Sequence, residues 1–220
     1  PGERFDEDAL RILRALRFSA QLGFAVESAT EEAIRVRCLH LNKISAERIR
    51  DELNKLLLSG KPERLLALEA CGIAGVVLPE ITGFLRQEAY AAPVLRRLRD
   101  YRMYGCDTHT ELILCWATLL NEALLQEGCN DNQKRKATVK RVLQRLKFDN
   151  DTISKASSLA EYSTEEAVAD AYRIRKQMHR MGEEVFHLWL VLTEGKRSGK
   201  ALESVKRMVD EICSKPYCVS

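Results

Sequence analysis

Apolar residues recur along this chain at the three-and-four spacing of a buried helix face, with capping residues between the runs. Leu10, Leu13, Leu16 and Ala20 share one side of an opening helix predicted from Glu7 to Leu22. Asp6 is its expected cap and Gly23 its stop. Ser28-x-x-Glu31 reads as a capping box for a second helix. Ser45 opens a third, running to Ser59-Gly60, and Pro62 suits the first turn of a fourth that ends at Cys71-Gly72. An irregular stretch with Gly72, Gly75 and Pro79 follows, and helical patterning returns from Val94 to Tyr104. Thr108-x-x-Glu111 reads as another capping box, before an apolar helix through Leu114, Trp116 and Leu120 to Leu125. Beyond a polar loop, Val139, Val142, Leu143 and Leu146 mark a helix from Gln133 to Lys147. Asp149 or Asn150 caps the next, and Ser163-x-x-Glu166 one reaching Arg180. Gly182 and Gly195 bracket an apolar helix, and a last one runs from about Gly199 to Cys213. No stretch alternates apolar and polar residues over strand length, and no Asn-Gly or Asp-Gly hairpin occurs. The expectation is an all-α fold with a seam near Glu80 to Pro93, dividing residues 1–82 from 83–220.

Composition agrees with this pattern. The chain has 220 residues, 45% hydrophobic and 30% charged, which suits a globular helical protein and excludes a disordered or fibrous one. No apolar run approaches the ~20 residues that span a bilayer, so no membrane partner is expected. No signal peptide opens the chain, and Pro1 stands where Met would be, which points to a fragment. Seven cysteines are scattered without a C-x-x-C pair. They read as reduced thiols of a cytoplasmic protein, not a disulfide framework. Their spacing gives no reason to expect zinc, and the four dispersed histidines, His40, His109, His179 and His187, read as non-ligands. The net charge of +3 is uninformative in itself; its distribution matters more.

The opening helix carries the most specific chemistry. Glu7, Asp8, Arg11 and Arg14 fall on one side of it, because offsets of three and four stack on a helix face. An ordinary solvated face with ion pairs is one reading. The other starts from Asp8 and Arg11. A carboxylate only accepts hydrogen bonds and a guanidinium only donates them. Together they match the amine and bare ring nitrogen that cytosine and adenine present. Uracil and guanine offer a carbonyl and an N–H in those places. The mismatch would leave desolvated groups unpaired, at about 1–3 kcal/mol each.

The run Phe5-Asp6-Glu7-Asp8-Ala9-Leu10-Arg11, then Leu13-Arg14-Ala15-Leu16-Arg17-Phe18 and Leu22-Gly23-Phe24, resembles the neck of class II tRNA nucleotidyltransferases. These are the CCA-adding enzymes and the related bacterial poly(A) polymerases. The family's E-D-x-x-R motif is present as Glu7, Asp8 and Arg11. Thr30 with Glu32-Ala33-Ile34, Ile44-Ser45-Ala46-Glu47-Arg48-Ile49 with Asp51-Glu52-Leu53, and Leu78-Pro79-Glu80-Ile81 extend the resemblance over residues 3–81. It implies an elongated neck, body and tail, and addition of C and A to tRNA 3′ ends. Asp8 and Arg11 would then act as a protein template for CTP or ATP. Glu7 would steady the arginine, and Arg14 and Arg17 would support the pocket or the nucleotide. A poly(A) polymerase or A-adding enzyme would share these residues, and a non-catalytic helical RNA-binding module is the alternative of another class.

In that family the chemistry needs two metal-binding carboxylates on a strand after a Gly-Ser turn, where Mg2+ activates the primer hydroxyl. Asp149-Asn150-Asp151 lies at an expected helix start with no such context, so capping is expected of it. The catalytic head is taken to be missing here, with its Mg2+, and this chain to be inactive by itself. No His-Asp dipeptide, P-loop or Rossmann fingerprint occurs. The basic helix carries Lys134, Arg135, Lys136, Lys140, Arg141, Arg145 and Lys147, with no acid between them. With its apolar residues facing a core, these cations are expected to face water and an RNA backbone, the acceptor and T arm of tRNA. Arg173, Arg175, Lys176 and Arg180, then Lys196, Arg197, Lys200, Lys206 and Arg207, continue the basic character, and Arg96, Arg97, Arg99 and Arg102 extend it or pair with acids.

Overall fold

A computed structural model describes residues 2–196 and 200–214, all of the observed regular structure being helical. The opening helix breaks in two, α1 (Gly2–Glu7) and α2 (Leu10–Leu22). The expected Asp6 cap is not the one used. Asp8 sits in the break and its Oδ1 accepts the Leu10 amide at 3.1 Å. Gly23 ends α2 with φ 78°, a left-handed conformation that glycine adopts without strain, and its N–H donates to the Ser19 carbonyl.

Two helices follow, α3 (Ser28–Arg37) and α4 (Ala46–Leu57), around a 3-10 segment at Cys38–Lys43. Ser45 caps α4 as expected, accepting from the Arg48 amide, whereas Ser28 makes no cap and lies inside α3. The stretch from Pro62 to Arg97 holds short pieces: α5 (Leu66–Ala70), α6 (Ala74–Val77), α7 (Thr82–Arg86) and α8 (Glu88–Arg97). The expected seam near Glu80 to Pro93 is thus occupied by helices, with Pro93 inside α8.

The long α9 (Thr108–Gln126) is buried along most of its length, including Trp116. Next come α10 (Asn132–Arg145), α11 (Asn150–Tyr162), α12 (Ala171–Met181), α13 (Glu183–Lys196) and α14 (Lys200–Ser214). Aspartates cap four of the later helices: Asp107 on α9, Asp131 on α10, Asp149 on α11 and Asp170 on α12. A carboxylate one residue upstream displaces the expected Thr108 cap, since it also meets the positive end of the helix dipole. Ser163 caps nothing downstream. Its hydroxyl instead bonds Asn121 and the Ala160 carbonyl at the end of α11.

The pairs α10–α11, α2–α4 and α9–α11 are the principal packings. One connected core runs from Phe5 through Trp116 and Trp189 to Ile212. Cys38, Cys71 and Cys115 are buried in it as free thiols, while Cys218 lies outside the described residues. Among the described residues no helix is long and apolar enough to cross a membrane.

Candidate nucleotide and RNA interface

The break between α1 and α2 places Asp8 where its two oxygens serve different partners. Oδ1 holds the Leu10 amide and Oδ2 accepts from Arg48 of α4 at 3.0 Å. Partial desolvation opposes its charge. The Leu10 amide, the Arg48 hydrogen bond and the charges of Arg48 and Arg14 outweigh it, so the carboxyl titrates below the usual range. Arg11 turns to other groups: its Nη1 donates to Glu7 at 2.6 Å and to the Arg4 carbonyl at 3.1 Å. Asp8 and Arg11 are therefore each engaged, but not with one another. The guanidinium Nε and Nη2 of Arg11 have no hydrogen-bond partner among the described residues.

Arg14 and Arg17 converge on Glu52 of α4, at 3.5 and 2.7 Å, and Lys55 adds a third cation at 3.4 Å. Glu52 is 4% exposed. Its burial disfavours the charge, yet Arg17 and Lys55 hold the carboxyl below its ordinary value. The Arg17 guanidinium also lies 3.9 Å over the Phe18 ring. Arg17 is thus built into the α2–α4 packing, and Arg14 remains nearly half exposed. Arg48 and Glu52 lie in the sequence run with the family resemblance but are not among the expected site residues. Only folding brings them 40 and 35–38 residues back to the opening helix.

The basic helix α10 divides into three kinds of cation. Arg135 corrects the expectation that all seven face water: it is fully buried. Its guanidinium donates to the carbonyls of Ala160 and Cys129 and to Asn132 and Thr164, tying α10 to α11 and the loops beside them. Lys136 and Arg145 are anchored at 2.6 Å by Glu161 and Glu80. Lys134, Lys140 and Arg141 are exposed, as is Lys147, which lies in the turn beyond the observed end of α10, and no acid pairs with them among the described residues. Arg173, Arg175 and Lys176 are likewise exposed on α12, while Arg180 pairs with Glu165. Arg99 and Arg102 pair with Asp100 and Glu111. Lys61, Arg64 and Arg96 line a surface groove of about 350 Å³ together with Glu63 and Glu88. Arg197 and the side chains of Lys196 and Lys200 lie outside the described residues.

The residues do not fit a two-metal magnesium site. Asp149 uses both oxygens on Thr152, and Asp151 meets His109 at 3.1 Å and the Lys155 ammonium at 2.9 Å. A second D-x-D in the sequence, Asp6-Glu7-Asp8, is engaged by Arg37 and Arg48.

Residues 23–85 match the family described as the probable RNA and SrmB-binding site of polymerase A. Curated relatives named CCA-adding enzyme align with parts of the chain. That of Anoxybacillus flavithermus is 46% identical over 108 residues, covering 49% of this chain and 25% of the relative. That of Lactiplantibacillus plantarum is 41% identical over 96 residues, 44% of this chain and 22% of the relative. That of Pediococcus pentosaceus is 52% identical over 64 residues, 29% of this chain and 16% of the relative. The chain therefore spans a quarter or less of the length of these relatives.

Proposed function

Taking the chain as a member of the family of CCA-adding enzymes and poly(A) polymerases, which its matches support, we propose that it is the base-reading and RNA-holding part of a cytoplasmic tRNA nucleotidyltransferase. In this reading a catalytic head outside the chain carries Mg2+ and joins CTP or ATP to the tRNA 3′ end. The observation that carries the reading is the α1–α2 break, where a carboxylate kept ionised at neutral pH sits one helical turn before a guanidinium with donors to spare.

Asp8 accepts from the exocyclic amine of cytosine or adenine, and Arg11 donates to the ring nitrogen beside it. Glu7 holds Arg11 through one nitrogen and leaves the others to the base. Arg48 fixes Asp8 from α4, and Arg14 and Arg17 set α2 against the same helix through Glu52. The unpaired cations of α10 and α12 hold the RNA by charge and shape.

Nucleotide incorporation by the longer enzyme tests the proposal. Asp8→Ala or Arg11→Ala should erode the choice of CTP and ATP over UTP and GTP while tRNA affinity changes less than about twofold. An unchanged choice in both variants overturns it. Because one base-reading pair serves C and A alike, an enzyme that adds only A is the second reading. CTP incorporation by the wild type separates the two.

A further inference from the structure

Three side chains at one end of the last helical pair have no part in the function just proposed. Glu183 and His187 stand one turn apart on α13 and so share a face. Cys213 arrives from the last turn of α14. A carboxylate oxygen, a ring nitrogen and the thiol sulfur lie within 4.8 Å of one another. All three residues are exposed, and none makes a hydrogen bond or ion pair among the described residues. The His187 ring only meets the Phe186 ring, at 6.0 Å. Neighbouring Glu184 is already bound by Lys155, so that ammonium does not neutralise Glu183. The Lys206–Glu194 ion pair, 2.6 Å long, ties the same two helices together further along and fixes their antiparallel register.

We propose that Glu183, His187 and Cys213 form a zinc site that clasps α13 to α14. Thiolate, imidazole and carboxylate are the donor set of a borderline divalent cation, and the sulfur and nitrogen exclude magnesium and calcium as the preferred ion. The close ligand pair that zinc sites need is Glu183 and His187; no cysteine spacing reveals it. Bond lengths of about 2.0–2.3 Å put tetrahedral ligands about 3.5 Å apart, which exposed side chains reach by small rotations. Water fills the fourth position. On binding, the Cys213 S–H bond breaks, a Zn–S bond forms and the proton leaves to solvent, so affinity rises with pH. The other candidate cluster, His109, Asp149 and Asp151, is not comparable, because Lys155 and Thr152 already occupy its carboxylates.

The experiment uses the reduced, metal-free 220-residue chain, titrated with zinc against a chromophoric chelator and, in parallel, with cobalt. One zinc per chain and a thiolate-to-cobalt charge-transfer band are expected. Glu183→Gln, His187→Ala and Cys213→Ser should each weaken binding at least about tenfold, the loss seen even for outer partners of a bound metal. Cys129→Ser and His109→Ala should leave it unchanged. The absence of stoichiometric zinc binding, or binding that survives both His187→Ala and Cys213→Ser, overturns the site.

Discussion

Glu52 is the residue on which the α2–α4 packing turns. It meets Arg17, Arg14 and Lys55 while almost wholly buried. Glu52→Gln should lower stability by about 1–3 kcal/mol, because it leaves the largely buried Arg17 guanidinium without a charged acceptor. Thermal unfolding checks this. Glu52 and Asp8 are both held below their ordinary values, so the unfolded chain binds more protons in acid than the folded one. Their contribution is complete above the ordinary glutamate value of 4.5 and is lost as pH falls through the lower folded values. Stability measured from pH 6 downward should therefore fall below that point, and Glu52→Gln should flatten the fall. Asp8 and Arg11 were legible as residue types at a helical spacing. Their immediate partners were not equally so: Glu7 is local, but Arg48 reaches Asp8 only through the tertiary pairing of α2 and α4.

At the scale of elements, periodicity located most helices, since buried faces such as Val139, Val142 and Leu143 on α10 repeat as the fold requires. Caps were less legible. Several short polar residues compete at each helix start, and the side chain that reaches the free amides wins, as Asp107 does over Thr108. Charge counting along α10 misjudged Arg135, because a long cation with four polar partners can be buried, and nothing local says so. This separates two outcomes. Lys134→Glu, Lys140→Glu and Arg141→Glu together should weaken tRNA binding and reduce the slope of log affinity against log salt by up to about three. Arg135→Met should instead destabilise the fold by about 1–3 kcal/mol, with the salt slope retained by the folded fraction. Fluorescence anisotropy over a salt series, beside thermal melts, distinguishes them.

Across the whole molecule, the expected division at residues 82 and 83 crosses a bonded joint. Trp116 of α9 donates to Asn54 of α4 at 2.8 Å, and Arg145 of α10 reaches the Val77 carbonyl and Glu80. Arg50 of α4 donates to the Lys147 carbonyl, and its guanidinium lies 5.6 Å from the Phe148 ring centre. With one core continuous from Phe5 to Ile212, tryptophan fluorescence and circular dichroism should report coincident unfolding. Two separated transitions would contradict a single cooperative unit. Such joints link residues 62 to 97 positions apart, beyond the reach of any periodic signal.

In the proposed function this joint holds the α1–α2 break and the exposed cations of α10 in fixed relation. The most direct measurement is the pair of dissociation constants for CTP and UTP in the proposed longer enzyme, compared between wild type, Asp8→Ala and Arg11→Ala. Wild type should favour CTP by roughly fivefold or more, as expected for a mismatch of about 1–3 kcal/mol, and either variant should bring the ratio towards one. A CTP-to-UTP ratio that stays at its wild-type value in both variants would contradict the account.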